Sequence, residues 1–161
     1  MREYVLLMSR YNAWANRTLY EAVATLPETE ITRDRRAFFG SILGTLNHGL
    51  VGDRLWLSRL TGESLAWFQG LDQVLHPDFA ALRAAREALD ARILAVMPTV
   101  AVEGTFVYRD SRGMMKEAPY RVIVPHIFNH QTHHRGQVHD MLSQAGLVPP
   151  PLDLLYFPRE G

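Results

Sequence analysis

The chain of 161 residues is 47% hydrophobic and 21% charged, the composition of a folded globular protein, and it is long enough for one domain, 1–161, with a full hydrophobic core. Its 17 basic and 17 acidic residues cancel, which leaves no electrostatic footprint for nucleic acid. It has no cysteine, so disulfides, iron–sulfur clusters and thiolate zinc sites are excluded and any thiol used in chemistry must arrive from solution.

No apolar run approaches the roughly 20 residues needed to cross a membrane. The amino-terminal MREYVLLMSRYNAW is unlike a signal peptide. The expectation is a cytoplasmic protein with a small-molecule substrate and no nucleic-acid or membrane partner.

In chain order, the first helical pattern runs from about Glu3 to Thr25, with Tyr4, Met8, Tyr11, Ala15 and Leu19 recurring at spacings of three and four. Leu26-Pro27 ends it. The segment from Glu28 to Gly40 reads as charged and irregular. A second helix is expected from Ser41, a plausible N-cap, to Leu60, with Gly62 as its stop.

A linker with Gly70 and His76-Pro77 follows. The third helix, Asp78 to Met97, is rich in Ala, Leu and Arg and is halted by Pro98. In TFVYRDSRGMMKE, β-formers flank the turn signature Asp110-Ser111-Arg112-Gly113, which predicts a two-stranded hairpin. Pro119 is placed at the first position of a fourth helix running to Gln144. The proline-rich tail is expected to pack through Leu152, Leu155, Tyr156 and Phe157. The sum is an all-α fold, a four-helix bundle with a small β-hairpin before the last helix.

Five of the seven histidines fall between His126 and His139. On a helical wheel with His126 at zero, His130 lies at about 40° and His134 at about 80°, beside Ile123, Ile127, Val138 and Met141 in the core-facing stripe. His126 and His133 sit at the edge of that stripe and His139 points away. Two neutral imidazoles one turn apart, facing a core, suit a single metal ion, which satisfies both nitrogens. The alternative is two core histidines bonded to backbone, side chains or water.

His48, on the second helix between Gly44 and Gly52, is the candidate third ligand, with the two glycines allowing close approach. Three histidines without a fourth protein ligand form an open site of the catalytic kind. Imidazole accepts zinc or nickel first, with iron, manganese or copper as alternatives. A zincin is excluded because Gln131 stands where Glu would follow the first histidine. A di-iron bundle is excluded for want of Glu-x-x-His pairs.

Around these, Asn47, His126, Asn129, His133 and Gln137 are candidates either to orient ligands by hydrogen bonds or to face substrate. Arg135 is expected to serve an ion pair or an interface. Asp53 is read as a surface partner of an arginine, and Tyr11, Trp14 and Trp56 as core, with lining an apolar site cavity as the alternative.

The run NHQTHHRGQ, the NH…D..W context of His48, and RYNAWANRTL over Arg10 to Leu19 together resemble the DinB-like (DinB/YfiT-like) family of bacterial four-helix metalloproteins, over nearly the whole chain. The resemblance implies a divalent ion on His48, His130 and His134, and a homodimer. It also implies activity of the thiol S-transferase or metal-dependent hydrolase type, using a low-molecular-weight thiol as cosubstrate in the first case. The rival reading is a non-catalytic stress-response or interaction bundle with a structural metal or none.

Overall fold

The computed structural model describes residues 1–158. Four long helices dominate: α1 (Arg2–Val23), α3 (Ile42–Thr61), α4 (Phe79–Val96) and α5 (Tyr120–Gln144), with a short α2 (Glu28–Thr32) after α1. A hairpin of β1 (Thr105–Arg109) and β2 (Met115–Pro119) precedes α5, with Val107 opposite Glu117 in an antiparallel register. Among the described residues no helix is long and apolar enough to cross a membrane.

The helix ends follow local chemistry. Ser41 Oγ accepts from the Gly44 N–H at 3.1 Å, and Asp78 Oδ1 from the Ala81 N–H at 2.8 Å, each satisfying an otherwise orphaned donor. Gly62 closes α3 with φ of 72°, a left-handed conformation that a side chain would oppose. Pro119 ends β2 and lies just before α5 rather than as its first helical residue. Its φ of −61° and ψ of 141° are extended, so the strand register carries it out of the helix. Pro125, by contrast, lies inside α5, where it lacks the N–H that would bond the Arg121 carbonyl.

Each long helix packs on two others: α1 on α4 and α5, α3 on α4 and α5. Leu19, Ile42, Leu82, Phe128 and Leu142 are fully enclosed at the centre. Two expectations fail at the periphery. The segment after α1 is partly helical, as α2, because Pro27 opens a turn that Glu28 to Thr32 complete. In the tail, Leu152 and Phe157 pack on the core and Leu152 O accepts from the Tyr11 hydroxyl at 2.7 Å. Leu155 and Tyr156 are exposed instead, because the single 3-10 turn at Leu154–Tyr156 swings them outward.

The bundle interior is also more polar than the sequence suggested. Asp53 is buried, and its partner is Arg86 of α4 at 2.9 Å, not a surface arginine. Arg86 also bonds Asp90 at 2.7 Å, and Asn16 donates to both Asp90 carboxylate oxygens at 3.1 Å. Arg135 is buried too, bonding Asn12 and Asn16 of α1 and lying over the Tyr11 ring. Among the described residues it makes no ion pair. A helix that packs on two neighbours buries a stripe wider than the wheel assumes, so a position turned from α3 faces α1.

Candidate metal centre

His48 on α3 meets His130 and His134 on α5 where those two helices pack together. His130 Nε2 lies 3.1 Å from His48 Nε2 and 3.1 Å from His134 Nε2. The nitrogens of the three all fall within 4.8 Å of one another, as a group that could hold a metal ion. Zinc–nitrogen bonds of about 2.0–2.1 Å in a tetrahedron imply nitrogen separations of about 3.3 Å, within a few tenths of those observed.

Hydrogen bonding at the far side of the rings tells what faces inward. His48 Nδ1 lies 2.7 Å from the Leu71 carbonyl oxygen. A carbonyl only accepts, so His48 carries its proton on Nδ1 and turns a bare lone pair inward from Nε2. His134 Nδ1 is held in the same way by Gln137 Oε1 at 2.7 Å. A neutral His130 can donate from Nε2 to one neighbour and not to both. Nor is the cluster readily protonated: burial, with neighbouring histidines adding to it, pushes His130 down to about 3. Burial also pushes His134 down to about 4, against the opposing Gln137 bond. His48 is lowered chiefly by burial as well. Three neutral imidazoles converging their Nε2 atoms are a donor set that a divalent cation satisfies and a proton does not.

Local sequence explains the approach. Helical spacing of four puts His130 above His134. A Cβ on Gly52 would sit 2.8 Å from His130 Cε1, so the ring occupies the space that a side chain there would fill. Gly44 has a different use, since its Cβ would meet the Phe39 carbonyl oxygen. That close passage brings Phe39 onto His48, with ring centroids 3.9 Å apart and planes 16° apart. Gly52→Ala should therefore displace the His130 ring and weaken Zn²⁺ or Ni²⁺ binding about tenfold or more. Competition titration with a chromogenic chelator measures this, and unchanged affinity would show that the ring position is not set by Gly52.

The other sequence candidates divide. Asn47 is buried and clamps the α3–α4 linker, donating to the His76 carbonyl at 2.9 Å and accepting from the His76 N–H at 3.0 Å. It thereby holds the segment that presents Leu71 to His48. Gln137 bonds His134 directly and also reaches exposed His133 at 3.4 Å. His126 borders an open cavity, with its ring 5.9 Å from that of His130 and 5.5 Å from Trp56. Asn129 faces away from the cluster: it is exposed, because one residue before His130 is a rotation of about 100° off the site. His139 bonds the Pro150 carbonyl, away from the cluster.

The cavity has a volume of about 300 Å³ and opens on His48 and His130. Leu55, Trp56 and Arg59 of α3, Leu71 of the linker, and Tyr108, Asp110 and Ser111 of the hairpin form its other walls. Trp56 is thus a cavity residue and not simply core, while Tyr11 is buried and Trp14 packs on Phe157. Sequence reasoning missed Phe39, Leu71 and the hairpin wall. The Phe38-Phe39-Gly40 run offered a faint signal for the first. A backbone carbonyl such as that of Leu71 leaves no signature in residue type.

A family model described as the DinB family matches residues 1–160. The chain belongs to the DinB family. It is similar to Protein DinB of Bacillus subtilis (strain 168), at 28% identity over 160 residues, which covers 95% of this chain and 92% of that relative. No solved structure matches it significantly. As a DinB-family chain it combines four main helices, a hairpin before the last, and a three-histidine cluster beside an open cavity.

Proposed function

We propose that this DinB-family protein is a divalent-metal-dependent enzyme, of the thiol S-transferase or hydrolase type. The observation that carries the reading is the convergence of three imidazole Nε2 atoms, two of them with their lone pairs turned inward, on the edge of a cavity that two of the same histidines line. His48, His130 and His134 would hold the ion, and no fourth donor joins the group among the described residues. Zinc and nickel suit such a set, as do copper and iron, since neutral imidazoles fill it and no carboxylate does. When bound, the ion lowers the pKa of a water or thiol and polarises an electrophile.

The remaining functions fall to the chain itself. The Leu71 carbonyl and Gln137 fix which nitrogen of His48 and His134 faces inward. Leu55, Trp56, Leu71 and Tyr108 give the cavity an apolar wall against which a substrate can pack. His126 presents an imidazole to the same space without belonging to the three-histidine group; burial lowers its proton affinity, which keeps it in the neutral form that a general base requires. The chain has no cysteine, so a thiol nucleophile enters as cosubstrate.

The test is turnover by the Zn²⁺- or Ni²⁺-loaded protein against a panel of low-molecular-weight thiols with electrophiles, and of activated esters and amides. His126→Gln should lower kcat about 10²–10⁴-fold while leaving metal content unchanged. Full metal occupancy with no turnover above buffer across the panel would overturn the enzymatic reading. Equal kcat in wild type and variant would remove His126 from it.

A further inference from the structure

We propose that Arg59 is an anion anchor in the cavity, so that the substrate or cosubstrate carries a carboxylate at the end opposite its metal-ligating group. The proposal rests on the metal-enzyme reading and names the chemical class it takes. Arg59 lies eleven residues beyond His48 on α3, about 16 Å of helix rise, yet both border the same cavity. Side chains on a helix lean back toward its amino terminus. The Arg59 guanidinium accordingly returns over the Trp56 ring, 4.7 Å from its centroid. Tyr108, from the hairpin, lies 5.2 Å away. Two aromatic rings thus hold the planar fork in place while its N–H edge stays available.

What sets Arg59 apart is the state of its donors. The half-buried side chain makes no hydrogen bond or ion pair among the described residues; its buried Nε is unpartnered, as are those of Arg35 and Arg86, but the terminal nitrogens of those two are bonded. The other well-buried arginines are engaged: Arg35 with Glu30, Arg86 with Asp53 and Asp90, Arg135 with Asn12 and Asn16. Glu63, four residues after Arg59 and just past the end of α3, is taken by Arg92. Asp110 is the acid whose charge Arg59 feels, but its Oδ1 accepts from the backbone N–H groups of Arg112 and Met114 at 2.8 and 3.0 Å. That bonding fixes the hairpin tip and holds the Asp110 carboxyl below the usual range. A half-buried guanidinium held by two rings, its terminal N–H groups bonded to no protein group, facing a cavity with a metal-type site at its other end, fits bidentate recognition of a carboxylate.

Cobalt(II)-substituted protein provides a readout independent of turnover, because a thiolate ligand adds an intense near-ultraviolet charge-transfer band. Mercaptopropionate, mercaptobutyrate and mercaptohexanoate are titrated alongside their uncharged amides. At the chain length that spans the cavity, the acid should bind about tenfold or more tightly than the amide. Arg59→Gln should reduce that preference below about twofold with the amide affinity unchanged, which also shows that the fold is intact, and Arg59→Lys should retain part of it. Asp110→Asn should strengthen binding of the acid by removing a like charge. Equal binding of acid and amide to wild type at every length, with the band present, overturns the assignment of Arg59 alone. So does a tenfold preference that survives in Arg59→Gln. Failure to bind cobalt at all overturns the metal reading, and this proposal with it.

Discussion

His130→Ala protein, purified without a histidine tag and equilibrated with Zn²⁺, is expected to retain less than about 0.2 ion per chain where wild type retains about one. His130 is the central donor of the group, the only one within 3.1 Å of both others. Without it, His48 and His134 keep their orientation, since Leu71 and Gln137 hold them from behind. Two imidazoles alone make a weak site. The same variant should lose the rise in melting temperature that added Zn²⁺ gives wild type, a linkage worth about 2.7 kcal/mol at a hundredfold excess over Kd. Elemental analysis and thermal unfolding measure the two effects. Full occupancy in the variant would place the ion elsewhere and dismiss the proposed centre.

Arg86→Met should be the most destabilising single change outside the centre, by about 3–5 kcal/mol, because it leaves two buried carboxylates without their counter-charge. Asp53 and Asp90 both face Arg86 inside the bundle. Burial already pushes the Asp53 carboxyl up to about 6, and Arg86 is what opposes that rise most strongly. For a chain of this size the loss corresponds to a fall of roughly 10 °C in melting temperature. Urea denaturation at fixed pH is the measurement. Adding Asp53→Leu and Asp90→Leu to Arg86→Met should recover a large part of the stability, since a fully apolar replacement of a buried charge set is often neutral or better. A loss under about 1 kcal/mol for Arg86→Met alone would mean that water reaches the carboxylates.

Much of this molecule was legible in residue order. The apolar spacing of α1, the Ser41 cap with its Gly62 stop, the Ala-, Leu- and Arg-rich run after Asp78, and the turn at Asp110 to Gly113 are local signals, and the helices and hairpin follow them. The pair His130 and His134 was legible for the same reason, because a spacing of four fixes two side chains on one helical face. The misreadings of Arg135 and Asp53 share one origin. A wheel drawn for one helix against one core has a single inside, whereas α3 and α5 each pack on two other helices and also wall a cavity. Asn129 failed for the opposite reason: adjacency in sequence rotates a residue away from its neighbour's face.

The sequence by itself determined which elements form, that no thiol belongs to the chain, and which imidazoles could share an ion. Those properties depend on residue type and on spacings within a turn or two of helix. Only the tertiary structure decided that His48 completes the cluster through an Nδ1 bond to the Leu71 carbonyl, that Phe39 stacks on it, and that Arg59 and the hairpin enclose the cavity. Each of these joins segments far apart in sequence, through backbone atoms or ring faces whose partners are set by helix packing and not by local composition.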